Sequence, residues 1–318
     1  MTSKRLVFTR WGRPLNRSQR DDLHGRLLVS PTMLVVLAFV VLPFLAVLVL
    51  SFADVRLVDI PRLSLDRLTL TLANFRSAWG SDRFWSALGT TLAYAACTTA
   101  GAITAGLVVA LALRRPFRGR GLVRALVLIP YVLPVVAATT IWKTLLNTEY
   151  GLVNAVGRQL IGWQDPIAFL TTRSQELGGI PIPVALVTVI AFEVWKTFPL
   201  AFLFITARLQ VTPMELEEAA AIDGAGKVRV FFHIVLPQLR GVIALLIVLR
   251  FIWSFQNFND IYLLTGGAGG TEVLAVRVYE ELVTRANIGT ASATGLLMTA
   301  MLLVLLVLYA WMIRRERT

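Results

Sequence analysis

The sequence is 318 residues long, 56% hydrophobic and only 16% charged, with a formal net charge of +12. A soluble domain carries roughly a quarter charged residues, and here the apolar residues fall in long blocks with a mean hydropathy of +0.70, so a soluble globular domain is excluded. The single cysteine, Cys97, lies inside an apolar block; it has no intramolecular disulfide partner and suits a packing role.

An apolar helix of about 20 residues crosses the hydrocarbon. Six such stretches follow in chain order, at roughly 31–52, 86–113, 122–146, 181–209, 241–262 and 289–313. The first exceeds the apolar core of a secretory signal and reads as a retained span. The third contains Pro130 and Pro134 and is expected to kink. The expected fold is an all-α integral membrane domain of six transmembrane helices with no short repeat. Residues 1–26 form a basic tail, 27–85 the first span with an outer loop, 86–313 the transmembrane core with a long loop at 210–240, and 314–318 a second tail.

Charge placement sets the orientation. With both termini cytoplasmic, 19 of the 31 Lys and Arg residues lie on cytoplasmic segments and 9 on outer loops, the bias expected of a membrane protein. The basic residues are shared among four separate cytoplasmic segments, which argues against a nucleic-acid partner. It leaves a general attraction to the anionic lipid of the bilayer.

The most informative loop is Thr212 to Pro237, TPMELEEAAAIDGAGKVRVFFHIVLP. Thr212 suits an N-cap, Pro213 the first helical position and Glu215 the third, which completes a capping box. Alanine and leucine favour helix, and Gly224 suits its end. A helix of about 10 residues is marginal alone in water, so it must pack against something, and at a membrane surface that is another protein. The same loop also carries a motif. Glu218-Ala219-Ala220, three residues, Gly224, nine residues, Ile234, one residue, Leu236-Pro237 resembles the signature loop of the permeases of binding-protein-dependent ABC importers. The stretches 115–121 with LVRALVLIPYVLP, EVWKTFPLAFLF (193–204) and FQNFNDIYLLTGG (255–267) are similar to the sugar-type permeases of that class, and the resemblance runs from about residue 27 onward.

The resemblance implies a type I ABC importer permease fold, in the bacterial cytoplasmic (inner) membrane as a multi-pass protein. Its partners would be a second homologous permease subunit (a heterodimer), two ATPase subunits and an extracytoplasmic solute-binding protein. The loop helix would insert into a cleft of the ATPase, with Glu217, Glu218, Ala219, Ala220, Asp223, Gly224 and Pro237 as the coupling residues and Glu218 paired with a basic group there. No phosphate-binding loop of the form G-x-x-x-x-G-K-S/T is present: Gly226-Lys227 is followed by Val228, and the first glycine position holds Ala221. The chain is therefore expected to bind no cofactor and no metal and to catalyse nothing itself, ATP and Mg belonging to the partner ATPase.

Charges within spans are costly and mark functional candidates. Glu193 and Lys196 lie three apart on one helix face, beside Trp195 and Thr197. The fifth stretch carries Arg250, Trp253, Ser254, Gln256, Asn257, Asn259 and Asp260. Amides and hydroxyls suit the OH groups of a sugar, and aromatic rings its C–H faces. Matching the sugar-contacting motifs of the maltose-type permease implies Tyr131, Val135, Lys196, Thr197, Leu200, Trp253, Ser254 and Asn257 as substrate-pathway residues, with Glu193 and Trp195 beside them. Val135 stands where the family has a hydroxyl, and Lys196 and Leu200 replace an apolar and an aromatic residue, which points to a ligand or pose unlike maltose. The preferred role for Lys196 is neutralising Glu193, the alternative recognising a carboxylate or phosphate. The glycine-rich loop from Gly266 to Arg285 is implied to face the binding protein. The expected function is import of a di- or oligosaccharide. The alternatives are a non-sugar solute such as a glycerophosphodiester or polyamine, a secondary transporter, which should show repeats or broken helices with ion ligands, and a membrane scaffold.

Overall fold

A computed structural model of the chain describes residues 17–62, 69–163, 165–177, 179–211 and 215–315. The expected capping pair Thr212 and Pro213, the first sixteen residues and the last three lie outside them. Five helices among the described residues are long and apolar enough to cross a membrane: Leu28–Ser51, Asp82–Ala112, Val184–Val211, Lys227–Phe255 and Ile288–Met312. A further candidate is a pair, Arg120–Val132 and Val135–Leu145, bent by 96°.

The bend is far sharper than a kink, and its cause is local. Proline disfavours helical backbone in the residue before it, and Leu133 and Pro134 both adopt extended ψ values, 134° and 135°. Pro130, by contrast, is buried within the first half of the pair and the helix runs through it. Two other prolines leave a lighter mark. The N–H groups of Leu42 and Leu236 bond five residues back, to Leu37 and Phe231, and each immediately precedes a proline, Pro43 and Pro237. A π turn takes up the ladder where the proline cannot donate.

The expected single span 241–262 is corrected. The helix begins earlier, at Lys227, and stops at Phe255; the chain turns through Gln256–Phe258 and restarts as the short helix Asn259–Thr265. Asn257 sits in the break, where its side-chain oxygen accepts from the Asp260 backbone N–H at 3.2 Å. The loop that follows turns on Gly266, Gly267, Gly269 and Gly270, all at positive φ. A Cβ on Gly269 would lie 2.8 Å from the Ala185 Cβ and 2.9 Å from the Thr171 carbonyl, so this loop is packed down by close approach.

In lipid no hydrophobic force drives helices together, so small residues that permit close packing carry the association. Asp82–Ala112 presents such a seam: Ala102, Gly106 and Ala110 recur at every fourth position and are buried. Against it, Val184–Val211 sets Ala201, Phe202, Ile205 and Leu209, also buried. A Cβ on Gly106 would lie 2.7 Å from both the Ala201 Cβ and the Phe202 backbone nitrogen. The helix Leu28–Ser51 is the opposite case. Only Ser51 at its end is buried, and most of its large side chains are exposed. Its second half, Leu42–Ser51, packs on the last helix, and Asn74 anchors the exit by donating to the Ser51 and Ala53 carbonyls at 3.1 and 2.8 Å.

Candidate functional site

Between two of the long helices, Val184–Val211 and Lys227–Phe255, the chain forms a short helix, Glu215–Ile222, with no buried side chain. Its end is closed by backbone alone. Gly224 sits at φ 80°, its N–H bonds to the Ala221 carbonyl at 3.1 Å, and the Ala225 N–H reaches back to Ala220 at 2.9 Å. This is the paired closure that a left-handed residue after a helix permits. Glu218, Ala219 and Asp223 are exposed, Ala220 and Pro237 partly so, and Ile222 is 87% exposed. Glu217 instead turns inward and forms an ion pair with Arg114, just past the end of Asp82–Ala112. An eight-residue helix has few backbone bonds of its own to hold it, and here that ion pair ties it to the end of Asp82–Ala112.

A second polar cluster is built inside the helices. Arg250 Nη2 donates to Glu193 Oε1 at 2.8 Å, both side chains 3% exposed. Lys196 Nζ donates to Asp260 Oδ1 at 2.5 Å. The expected neutralisation of Glu193 by Lys196 is therefore corrected: the neighbours on one helix face each take a partner from another segment. The reason is reach across the break, because ending the helix at Phe255 swings Asp260 against Lys196 while Arg250 remains on the preceding turns. Asn257 joins the two pairs. Its amide nitrogen lies 2.7 Å from Asp260 Oδ2, 3.2 Å from the Tyr94 hydroxyl and 3.3 Å from Glu193 Oε2, so two amide hydrogens serve three acceptors. Two basic and two acidic side chains make up the cluster.

The remaining expected residues divide. Ser254 is buried, with its hydroxyl 3.4 Å from Arg250 Nη2. Thr197 spends its hydroxyl on the Glu193 carbonyl at 2.6 Å. Trp195 is half-buried in an aromatic group with Trp142 and Phe192, centroids 5.7 and 6.0 Å away. Leu200 and Val135 are half-buried. Tyr131 and Trp253 are exposed, 42% and 47%, as are Gln256 and Asn259. Tyr94, Arg250 and Asp260 are full members of the cluster that the motif-based set omits. Two of them were signalled by charge within a span; Tyr94 carries no signal beyond a hydroxyl among apolar residues.

The family described as binding-protein-dependent transport system inner membrane component matches residues 102–318. The chain is 31% identical over 294 residues to the inner membrane ABC transporter permease protein YcjO of Escherichia coli, covering 92% of this chain and 94% of that protein. It is 31% identical to the trehalose/maltose transport system permease protein MalF of Thermococcus litoralis, covering 91% and 93%, and 31% identical to the sulfoquinovosyl glycerol transport system permease protein SmoG of Agrobacterium fabrum, covering 96% and 95%. Among solved structures, a chain of a bacterial ABC transporter involved in import of the acidic polysaccharide alginate shares the fold, with a TM-score of 0.78, 22% identity and coverage of 94% of this chain and 99% of that one.

Proposed function

The chain belongs to the inner membrane components of binding-protein-dependent transport systems, and from that premise we propose that it is the permease subunit of an ATP-driven importer for an uncharged sugar. The observation that carries the coupling is the helix Glu215–Ile222, displayed with no buried side chain and ended at Gly224. A helix in that state needs a partner. The proposed partner is a separate ATPase subunit that receives Glu218, Ala219, Ala220 and Asp223 while the pair Glu217–Arg114 ties the helix to the spans. Pro237 follows the π turn inside the next long helix. ATP and Mg stay on the ATPase.

The rest of the arrangement follows the same reading. In this reading six spans cross the bilayer, counting the bent pair as one, with both termini and residues 210–240 in the cytoplasm, in keeping with the excess of Lys and Arg there. A homologous second permease completes the pathway, and two ATPase subunits and an extracytoplasmic solute-binding protein complete the importer. Tyr131 and Trp253, exposed on this chain alone, supply aromatic faces to the pathway, with Gln256, Asn257 and Asn259 supplying amides.

The solute's charge is read from the cluster. Lys196 and Arg250 are each bound to a carboxylate, so neither cation is free to hold an anionic solute. That favours a neutral di- or oligosaccharide over a charged solute. The test is purification from native membranes with a tag at Thr318, then ATP hydrolysis measured with trehalose, maltose, sulfoquinovosyl glycerol and sn-glycerol 3-phosphate. Recovery of an ATPase whose turnover rises with a neutral sugar is expected. Stimulation by the anionic solutes alone would refute the neutral reading, and recovery without any ATPase would refute the importer.

A further inference from the structure

A third polar site lies at the same end of the molecule as Glu215–Ile222. Past the end of Asp82–Ala112 the chain turns through Gly119, at φ 84°, into Arg120–Val132. There Arg114, Arg120 and Arg124 meet Pro116, Thr206 and Gln210 around a cavity of about 320 Å3. Among the described residues only Arg114 of the three has a carboxylate partner, Glu217. Arg124 reaches the Leu113 carbonyl at a long 3.4 Å, and among the described residues the Arg120 guanidinium has neither hydrogen bond nor ion pair. Arg114 Nη2, Arg120 Nε, Arg124 Nε and Thr206 Oγ1 are all buried without a hydrogen-bond partner. Three guanidinium groups against one carboxylate, with four sequestered polar atoms unsatisfied around one cavity, is an arrangement that buried polar groups ordinarily avoid.

We propose that this cavity binds a phosphate-bearing anion, held by Arg120 and Arg124 with the Thr206 hydroxyl. Planar guanidinium forks match the oxygens of a phosphate better than a point charge does. The cavity also lies between helix ends, and basic pockets between spans on the cytoplasmic side take anionic headgroups. This rests on the proposed cytoplasmic placement of this end. Because Arg114 is shared with Glu217, an occupied site alters the charge felt by the tether of the coupling helix.

Native mass spectrometry of the purified complex, titrated with phosphatidylglycerol, phosphatidylcholine or inorganic phosphate, tests the site without reference to orientation. Wild type should retain phosphatidylglycerol over phosphatidylcholine, and Arg120→Gln/Arg124→Gln should lose roughly thirtyfold in that affinity, about a factor of five for each basic residue near the headgroups. Arg118→Gln, exposed and outside the cavity, should lose little. Equal retention of the two lipids by wild type, which does not depend on the variant folding, overturns the proposal unless inorganic phosphate binds and the double variant abolishes it, in which case the anion is soluble. Retention of both anions by the double variant overturns it outright. Labelling of Arg118→Cys from outside intact cells overturns the leaflet placement separately, so the two failures are told apart.

Discussion

Glu193 and Arg250 are almost fully enclosed, and removing one of them exposes what burial of a charge costs. At 2.8 Å their gross attraction is about 6 kcal/mol for an effective dielectric constant of about 20, most of it offset by the desolvation of both groups. Replacing the pair by apolar residues of similar volume therefore costs little, whereas removing one partner strands the other, at about 3–5 kcal/mol. Arg250 has no reserve: its Nε already lacks a partner, and without Glu193 its remaining contact is the Ser254 hydroxyl at 3.4 Å. Glu193 without Arg250 keeps the Asn257 amide, at a long 3.3 Å. Glu193→Leu and Arg250→Met should each destabilise the chain by about 3–5 kcal/mol, while the double variant should fall within about 1 kcal/mol of wild type, the residue being the lost amide bond. Denaturation of the purified chain in bicelles by sodium dodecyl sulfate, followed by intrinsic fluorescence, measures all three. The reasoning fails if each single change costs under about 1 kcal/mol and the double change costs their sum, as for an exposed pair.

Two further predictions concern close approach and the turn. Gly106→Leu should push the Ala201–Phe202 backbone away and destabilise by about 1–3 kcal/mol, read in the same denaturation experiment, while Gly89→Leu, with open space around its Cβ, should leave packing unchanged. Gly224→Val forces a branched residue to φ 80°, a cost of about 1–2 kcal/mol confined to the turn; the complex should still insert, but sugar-stimulated ATP hydrolysis should fall toward its basal rate in proteoliposomes.

What the sequence disclosed and what it withheld separate by range. The closure at Gly224 was legible because it is local: one glycine, one helix-favouring run and a register of hydrogen bonds over five residues. The break at Pro134 was legible as a bend but not in size, since Pro130, four residues earlier, makes the same covalent threat and is absorbed within the helix. The stop at Phe255 was hidden because Ile261, Leu263 and Leu264 keep the stretch apolar beyond it, so hydropathy runs on where the backbone turns. The pairing of Lys196 with Asp260, 64 residues away, was not written in spacing at all. Glu193 and Lys196 are ideal neighbours on one helix, and only the tertiary arrangement decides that each binds elsewhere.

The Asp82–Ala112 helix reaches both polar centres. Tyr94 meets Asn257 within the buried cluster, and just past the helix's other end Arg114 holds Glu217 of the displayed helix. At 1.5 Å of rise per residue these two points stand about 30 Å apart along one axis, on a rod clamped along its seam at Ala102, Gly106 and Ala110. A push delivered to the displayed helix thus arrives at the buried polar cluster as the displacement of a single lever. No chain of side-chain rearrangements is required between them, and any hinge belongs where the backbone is already interrupted, at Leu133–Pro134 and Gln256–Phe258.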